Sequence, residues 1–261
     1  MRLALICGQG SLPRIVVGTL TERPLVCVLR GFEPEGLAAD LTFRLEHLGT
    51  LMTDLTARGI THVCLCGAIR RPPVDPAQID AATAPLVPRL QRALTSGDDS
   101  ALRIVMELFE EAGLGIVPVH RLVADLIAGP GIHTVKAPPS HTDEDARLGE
   151  KTVADMGARD VGQACVIRGG AVIAREDAAG TDAMLERLTP GAGGILYKAP
   201  KPTQDRRADL PAIGPDTPER VAAAGLDGIV ISADGVLLLD RAKTVARCDA
   251  LGLFLWVREP D

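Results

Sequence analysis

A chain of 261 residues is long enough for one large domain or two modest ones, each with a buried core. It is 46% hydrophobic and 24% charged, as in an ordinary globular enzyme, and four Phe, one Tyr and one Trp are too few rings for a base-stacking surface. A formal net charge of -6 also argues against a nucleic-acid groove, so any phosphate binding falls to local clusters of positive charge.

The first predicted element is a strand over residues 3–7. The apolar run that contains it is too short for a signal peptide, and no stretch reaches the ~20 apolar residues that span a bilayer. The expectation is a cytoplasmic protein that is soluble or peripherally attached. Six cysteines, at 7, 27, 64, 66, 165 and 248, sit mostly in strand-like runs without a C-x-x-C pair, and read as buried free thiols of a reducing compartment.

Gly8-Gln9-Gly10-Ser11-Leu12-Pro13 follows the first strand, and Ile15, Val16 and Leu20 continue at helical spacing. The loop is either a tight strand-to-helix turn or a set of bare amides facing an anion at a helix N-terminus. A dinucleotide fingerprint fails, because Pro13 stands where the third glycine belongs and Arg30 where an acidic ribose partner belongs. Further strands are expected at 25–29, 43–48, 60–66 and 116–119, with helices at 50–58, 76–82, 85–95 and 98–112. Arg70 and Arg71, in the loop after the fourth strand, suit an anion. In Gly97-Asp98-Asp99 the aspartates are read as a helix cap rather than a metal pair. Alternating strands and helices imply a parallel sheet with ligands beyond its carboxyl edge.

Residues 129–145, with three prolines, His133 and His141, mark a joint; the histidines read as solvated linker residues. The expected organisation is a Rossmann-like N-terminal domain over 1–133, a linker over 134–145 and an α+β C-terminal domain over 146–261, with a cleft between the domains. The second domain reads as a helix at 144–157, then a hairpin of 164–168 and 171–175 through Gly169-Gly170. A helix capped by Thr181 follows, then one capped by Thr217 with Pro218 at its first position. A second hairpin through Ala233-Asp234-Gly235 precedes a helix from Asp240 and a last strand at 253–257.

The most distinctive stretch is Tyr197 to Gly214, where Pro200, Pro202 and Pro211 exclude helix and extend the residues before them. Lys198, Lys201, Arg206 and Arg207 can neutralise phosphate, and Asp205 and Asp209 offer the oxygens that magnesium accepts. Glu176 and Asp182 add carboxylates just upstream. Phosphoanhydride hydrolysis needs positive charge on the phosphoryl oxygens, usually a hard cation, a placed water and exclusion of bulk solvent. This stretch supplies the first two.

Together, Gly8-x-Gly10-x-Leu12-Pro13, Gly97-Asp98-Asp99, Arg175-Glu176 with Gly180-Thr181-Asp182-Ala183-Met184-Leu185, and Lys198-x-x-Lys201-Pro202-x-Gln204-x-x-Arg207-x-Asp209-Leu210-Pro211-x-Ile213-Gly214 resemble the LpxI family of UDP-2,3-diacylglucosamine pyrophosphatases. The likeness covers essentially the whole chain, and the two C-terminal motifs in their order make it specific. It implies magnesium-dependent hydrolysis of UDP-2,3-diacylglucosamine to UMP and 2,3-diacylglucosamine 1-phosphate (lipid X). That is a step of lipid A synthesis on the cytoplasmic side of the inner membrane in Gram-negative bacteria, where peripheral contact is expected. The resemblance makes Asp209 the catalytic residue and sets Asp205 aside. Substrate contacts are expected from Gly8, Gly10, Leu12, Pro13, Arg70, Thr181, Asp182, Lys198, Lys201, Gln204 and Arg207, and magnesium ligands from Asp209, Glu176 and Asp182. The alternative is a non-catalytic lipid or nucleotide-sugar binding protein of the same fold.

Overall fold

The computed structural model describes residues 1–70, 72–191, 193–202 and 204–261, with Asp98 described by its backbone alone. The chain forms two compact units: Met1–Val123 together with Asp205–Asp209, and Ala124–Gln204 together with Leu210–Asp261.

The N-terminal unit is built on a fully parallel sheet of β1 (Leu3–Cys7), β2 (Leu25–Leu29), β3 (Leu41–Phe43), β4 (His62–Cys66) and β5 (Gly115–Ile116). Its order, β3-β2-β1-β4-β5, places the first strand at the centre. β1, β2 and β4 are buried almost throughout because a parallel sheet is covered on both faces. The helices are α1 (Leu12–Thr19), α2 (Leu48–Ala57), α3 (Val87–Thr95), α4 (Asp98–Glu111) and α5 (Val119–Leu122). Leu51 and Leu55 of α2 with Met106 and Phe109 of α4 close the core over Ala4, Cys27 and Val63.

Three expectations shift here. The third strand ends at Phe43, because the chain turns at Leu45–His47 to bury Glu46 against Arg44. Helix at 76–82 shrinks to one turn at Pro76–Gln78, begun by Asp75, whose Oδ1 accepts the Ala77 N–H at 3.0 Å. The fifth strand covers only Gly115–Ile116, since Pro118 stands at the N-cap of α5 and brings no N–H to a ladder. Gly97 holds the N-cap position of α4, so Asp99 lies within the first turn and not at the cap position; the side chain of Asp98 lies outside the described residues.

The C-terminal unit holds a mixed sheet of β6 (Gly131–Ile132), β7 (Ala164–Arg168), β8 (Ala171–Arg175), β9 (Ile195–Lys198), β11 (Gly228–Ser232) and β13 (Phe254–Arg258), in the order β6-β13-β11-β9-β7-β8. β9, β11 and β13 run parallel; the expected hairpin of β7 and β8 is antiparallel, as are the β7-β9 and β6-β13 pairs. A two-stranded parallel ladder joins β10 (Ala212–Ile213) to β12 (Leu237–Leu238). Helices α6 (Thr142–Gly157), α7 (Gly180–Glu186), α8 (Thr217–Ala223) and α9 (Arg241–Ala250) cover the sheet. Strand alternation sends Ile195, Tyr197 and Val230 toward α6, and Leu196, Ile229 and Ile231 toward α7, α8 and α9. Gly149 of α6 is needed for this contact, because a Cβ there would sit 2.5 Å from the Tyr197 ring.

The second hairpin expected through 233–235 does not form. Both edges of β11 are taken by β9 and β13, so after the turn at Asp234 the chain pairs with β10 instead. Nor does Thr217 cap: it is the first residue of α8, behind Asp216, and its hydroxyl accepts the Gly214 N–H at 3.2 Å. All six cysteines are buried and unpaired. Among the described residues, no helix is long and apolar enough to cross a membrane.

Candidate functional site

The glycine loop lies at the carboxyl ends of β1 and β4, where its shape is set by close backbone approach. Gly8 N–H donates to Cys66 O at 2.9 Å, and Gln9 and Ala68 exchange both backbone hydrogen bonds at 2.8 and 2.9 Å. A Cβ on Gly8 would lie 2.4 Å from Ala68 O, and one on Gly67 2.6 Å from Gly8 O, so both glycines are required where the two loops meet. Gly10 takes a φ of 92°, which only glycine adopts cheaply, and the chain enters α1 through Leu12 and buried Pro13. Arg70 is exposed on the loop beside Ala68. Arg71 lies outside the described residues.

In the C-terminal unit the basic residues of β9 and the following turn are buried, which is unusual for lysine unless it is partnered. Lys198 shares the face of Leu196, so its side chain runs toward α7. Nζ donates to Thr181 Oγ1 at 2.9 Å and to Ala212 O at 3.0 Å. Thr181 is therefore no cap: Ala179 precedes the helix, and the threonine hydroxyl faces the lysine. Lys201 Nζ donates to Asp160 Oδ1 at 2.6 Å, its backbone N–H donates to Gln204 Oε1 at 2.9 Å, and Gln204 Nε2 donates to Gln163 Oε1 at 3.2 Å. Gly157 leaves room for this turn, as a Cβ there would lie 2.9 Å from Pro202 Cδ and 3.0 Å from Lys201 Cβ.

Asp205 to Asp209 makes a single turn that groups with the N-terminal unit. The Asp209 N–H donates to Asp205 O at 3.2 Å, and Ala208 packs on the core beneath. Arg207, expected to contact phosphate, is half-exposed and faces two carboxylates. Nε and Nη2 face the Asp205 carboxylate at 3.0 and 2.8 Å, and Nη1 donates to Glu110 Oε1 at 2.8 Å. The hydrogen bonds from Arg207 hold the Asp205 carboxyl below its usual range, while burial opposes them. Nearby, burial pushes the imidazole of His120 down, with Arg121 and Arg206 adding to the shift. Pro211 is buried just past the turn, and its carbonyl accepts the Leu237 N–H at 2.8 Å.

The carboxylates expected to share a metal are engaged separately. Glu176 is buried and accepts the Gln163 N–H at 3.0 Å; exposed Asp182 lies 3.5 Å from Arg220. Among the described residues, no three His, Cys, Asp or Glu side chains group into a metal cage. Magnesium does not need one, since it binds through one or two carboxylates, substrate phosphates and waters. Asp209 is half-buried at the end of its turn.

The partners Asp160, Gln163 and Glu110 are absent from the sequence reading. Gln163 had a weak signal in its place one residue before β7. Glu110 had none, being 97 residues from Arg207.

The parallel sheet of the first unit and the mixed, helix-covered sheet of the second define an α/β protein. Residues 2–126 match the model of the LpxI N-terminal domain and residues 129–256 that of the LpxI C-terminal domain. The chain is 36% identical, over 280 aligned positions, to the UDP-2,3-diacylglucosamine pyrophosphatase LpxI of Caulobacter vibrioides, spanning 100% of this chain and 98% of that protein. The chain belongs to the LpxI family.

Proposed function

We propose that this chain hydrolyses the pyrophosphate bond of UDP-2,3-diacylglucosamine, giving UMP and 2,3-diacylglucosamine 1-phosphate (lipid X) for lipid A biosynthesis. The observation behind this reading is the collinear match, both LpxI domains in order and 36% identity along the whole chain. In the reaction the oxygen of water bonds to one phosphorus, the bridging P–O bond breaks, and a proton is released as two phosphate monoesters part.

Lys198 brings positive charge to the lipid phosphate, where burial strengthens the attraction, and Lys201 adds to it with part of its charge offset by Asp160. Thr181 and Gln204 orient the two lysines through the contacts described above. The amides of Gly8 and Gly10, with Leu12, Pro13 and Arg70, serve the nucleotide end. Asp209 orients the attacking water or holds magnesium, which, when bound, neutralises the phosphoryl oxygens. The lipid substrate makes peripheral contact with the cytoplasmic face of an inner membrane part of this proposal.

Purified protein given UDP-2,3-diacylglucosamine and magnesium should release UMP, and Asp209→Ala should not. Wild-type protein that releases none with magnesium, manganese or calcium overturns the enzyme reading. If it nevertheless retains the lipid through purification, it is the binding protein instead.

A further inference from the structure

The turn that bears Asp209 is fastened to α4 by charge. Glu110 lies in the last turn of that helix and Arg103 seven residues earlier, a spacing that puts both on one face. Glu110 meets Arg207 at 2.8 Å, and Arg103 adds positive charge near Asp205. Asp205 does two jobs within the turn. Its side chain accepts from the backbone and guanidinium of Arg207, at 3.0 and 2.8 Å, and its carbonyl accepts the N–H of Asp209. The Arg207 guanidinium thus lies between two carboxylates, which offset much of its charge toward a phosphate.

We infer that Glu110, Arg207 and Asp205 form a latch that sets the position of Asp209, so that Arg207 acts as a positioning residue rather than as a phosphate ligand. This rests on the reading that Asp209 serves the chemistry. The latch is an alignment device more than a source of stability. The side chains of Arg207 and Glu110 are each 41% exposed, and pairs so exposed add little to folding free energy. Alignment is worth more, because a displacement of about 1 Å at a reacting group costs on the order of a hundredfold in rate.

The test is a double-variant cycle on UMP release, using Glu110→Ala, Arg207→Gln and both together. Each single variant should lower kcat by about ten- to a hundredfold with KM little changed. The double variant should fall no further than the worse single one, since both break one latch. Hydrogen exchange of the 205–209 amides should quicken in all three while thermal unfolding stays near wild type; Glu110→Gln serves if Glu110→Ala fails to fold. Wild-type kcat and exchange in the Glu110 variant overturn the latch. So do a raised KM with preserved kcat in Arg207→Gln and losses that multiply in the double variant. If wild-type protein releases no UMP, the functional reading fails, and the exchange arm still decides the latch.

Discussion

Lys201 Nζ stands 2.6 Å from Asp160 Oδ1, and Asp160 reaches it from a left-handed backbone with φ at 54°. Asp is among the few residues besides glycine that tolerate this region, so one residue both makes the turn after α6 and meets the buried lysine. Asp160→Ala should cost about 1–3 kcal/mol in urea unfolding, from the lost charged hydrogen bond and the strained backbone. Asp160→Asn, which keeps an acceptor and the turn, should cost less. An Asn variant as stable as wild type would show that the charge of the ion pair adds nothing, and one as unstable as Ala would assign the whole cost to that charge.

Thr181 presents its hydroxyl to Lys198 at 2.9 Å from the first turn of α7. Thr181→Val keeps the shape and removes the acceptor, leaving a buried ammonium short of one partner. Folding stability should fall by about 1 kcal/mol, and kcat/KM for UMP release should fall with it. Thr181→Ser restores the acceptor and should recover most of the activity. Failure of serine to rescue would place the effect in packing.

Gly67 has a φ of 88° and no space for a Cβ, which would approach Gly8 O to 2.6 Å. Gly67→Ala should therefore destabilise by about 1–3 kcal/mol and part the glycine loop from the loop after β4. The measurable sign is a lower Tm and a higher KM for the nucleotide substrate. A raised KM with an unchanged Tm would mean that the loops meet only when substrate is bound.

Glu46 is buried between Arg44, whose Nη2 lies 3.1 Å away, and the Asp75 N–H at 2.8 Å. The hydrogen bonds from Arg44 lead in pulling its carboxyl down from 4.5 to about 2, against the opposing effect of burial. A carboxylate with a lowered folded-state pKa stabilises fully above its ordinary value, and that contribution fades as pH falls toward about 2. Tm should thus drop between neutral pH and pH ~3 by less in Glu46→Gln than in wild type. An equal drop would assign acid sensitivity elsewhere.

Local chemistry made much of this protein legible in its sequence. The apolar runs at β1, β2 and β4, the Gly169-Gly170 hairpin and the prolines around 200–211 impose their geometry through sterics and periodicity within a few residues. The motif around Lys198, Lys201 and Asp209 was equally plain as charge on a stiff backbone. The partners of those residues were decided by tertiary structure alone. β12 pairs with β10 because the edges of β11 are already occupied, and Lys198 meets Thr181 because strand alternation turns it toward α7. Arg207 answers Glu110 across 97 residues of chain. Sequence spacing determines which side chains are available, but a contact between distant residues exists only after the chain has folded back, and there Arg207 proved to face a carboxylate.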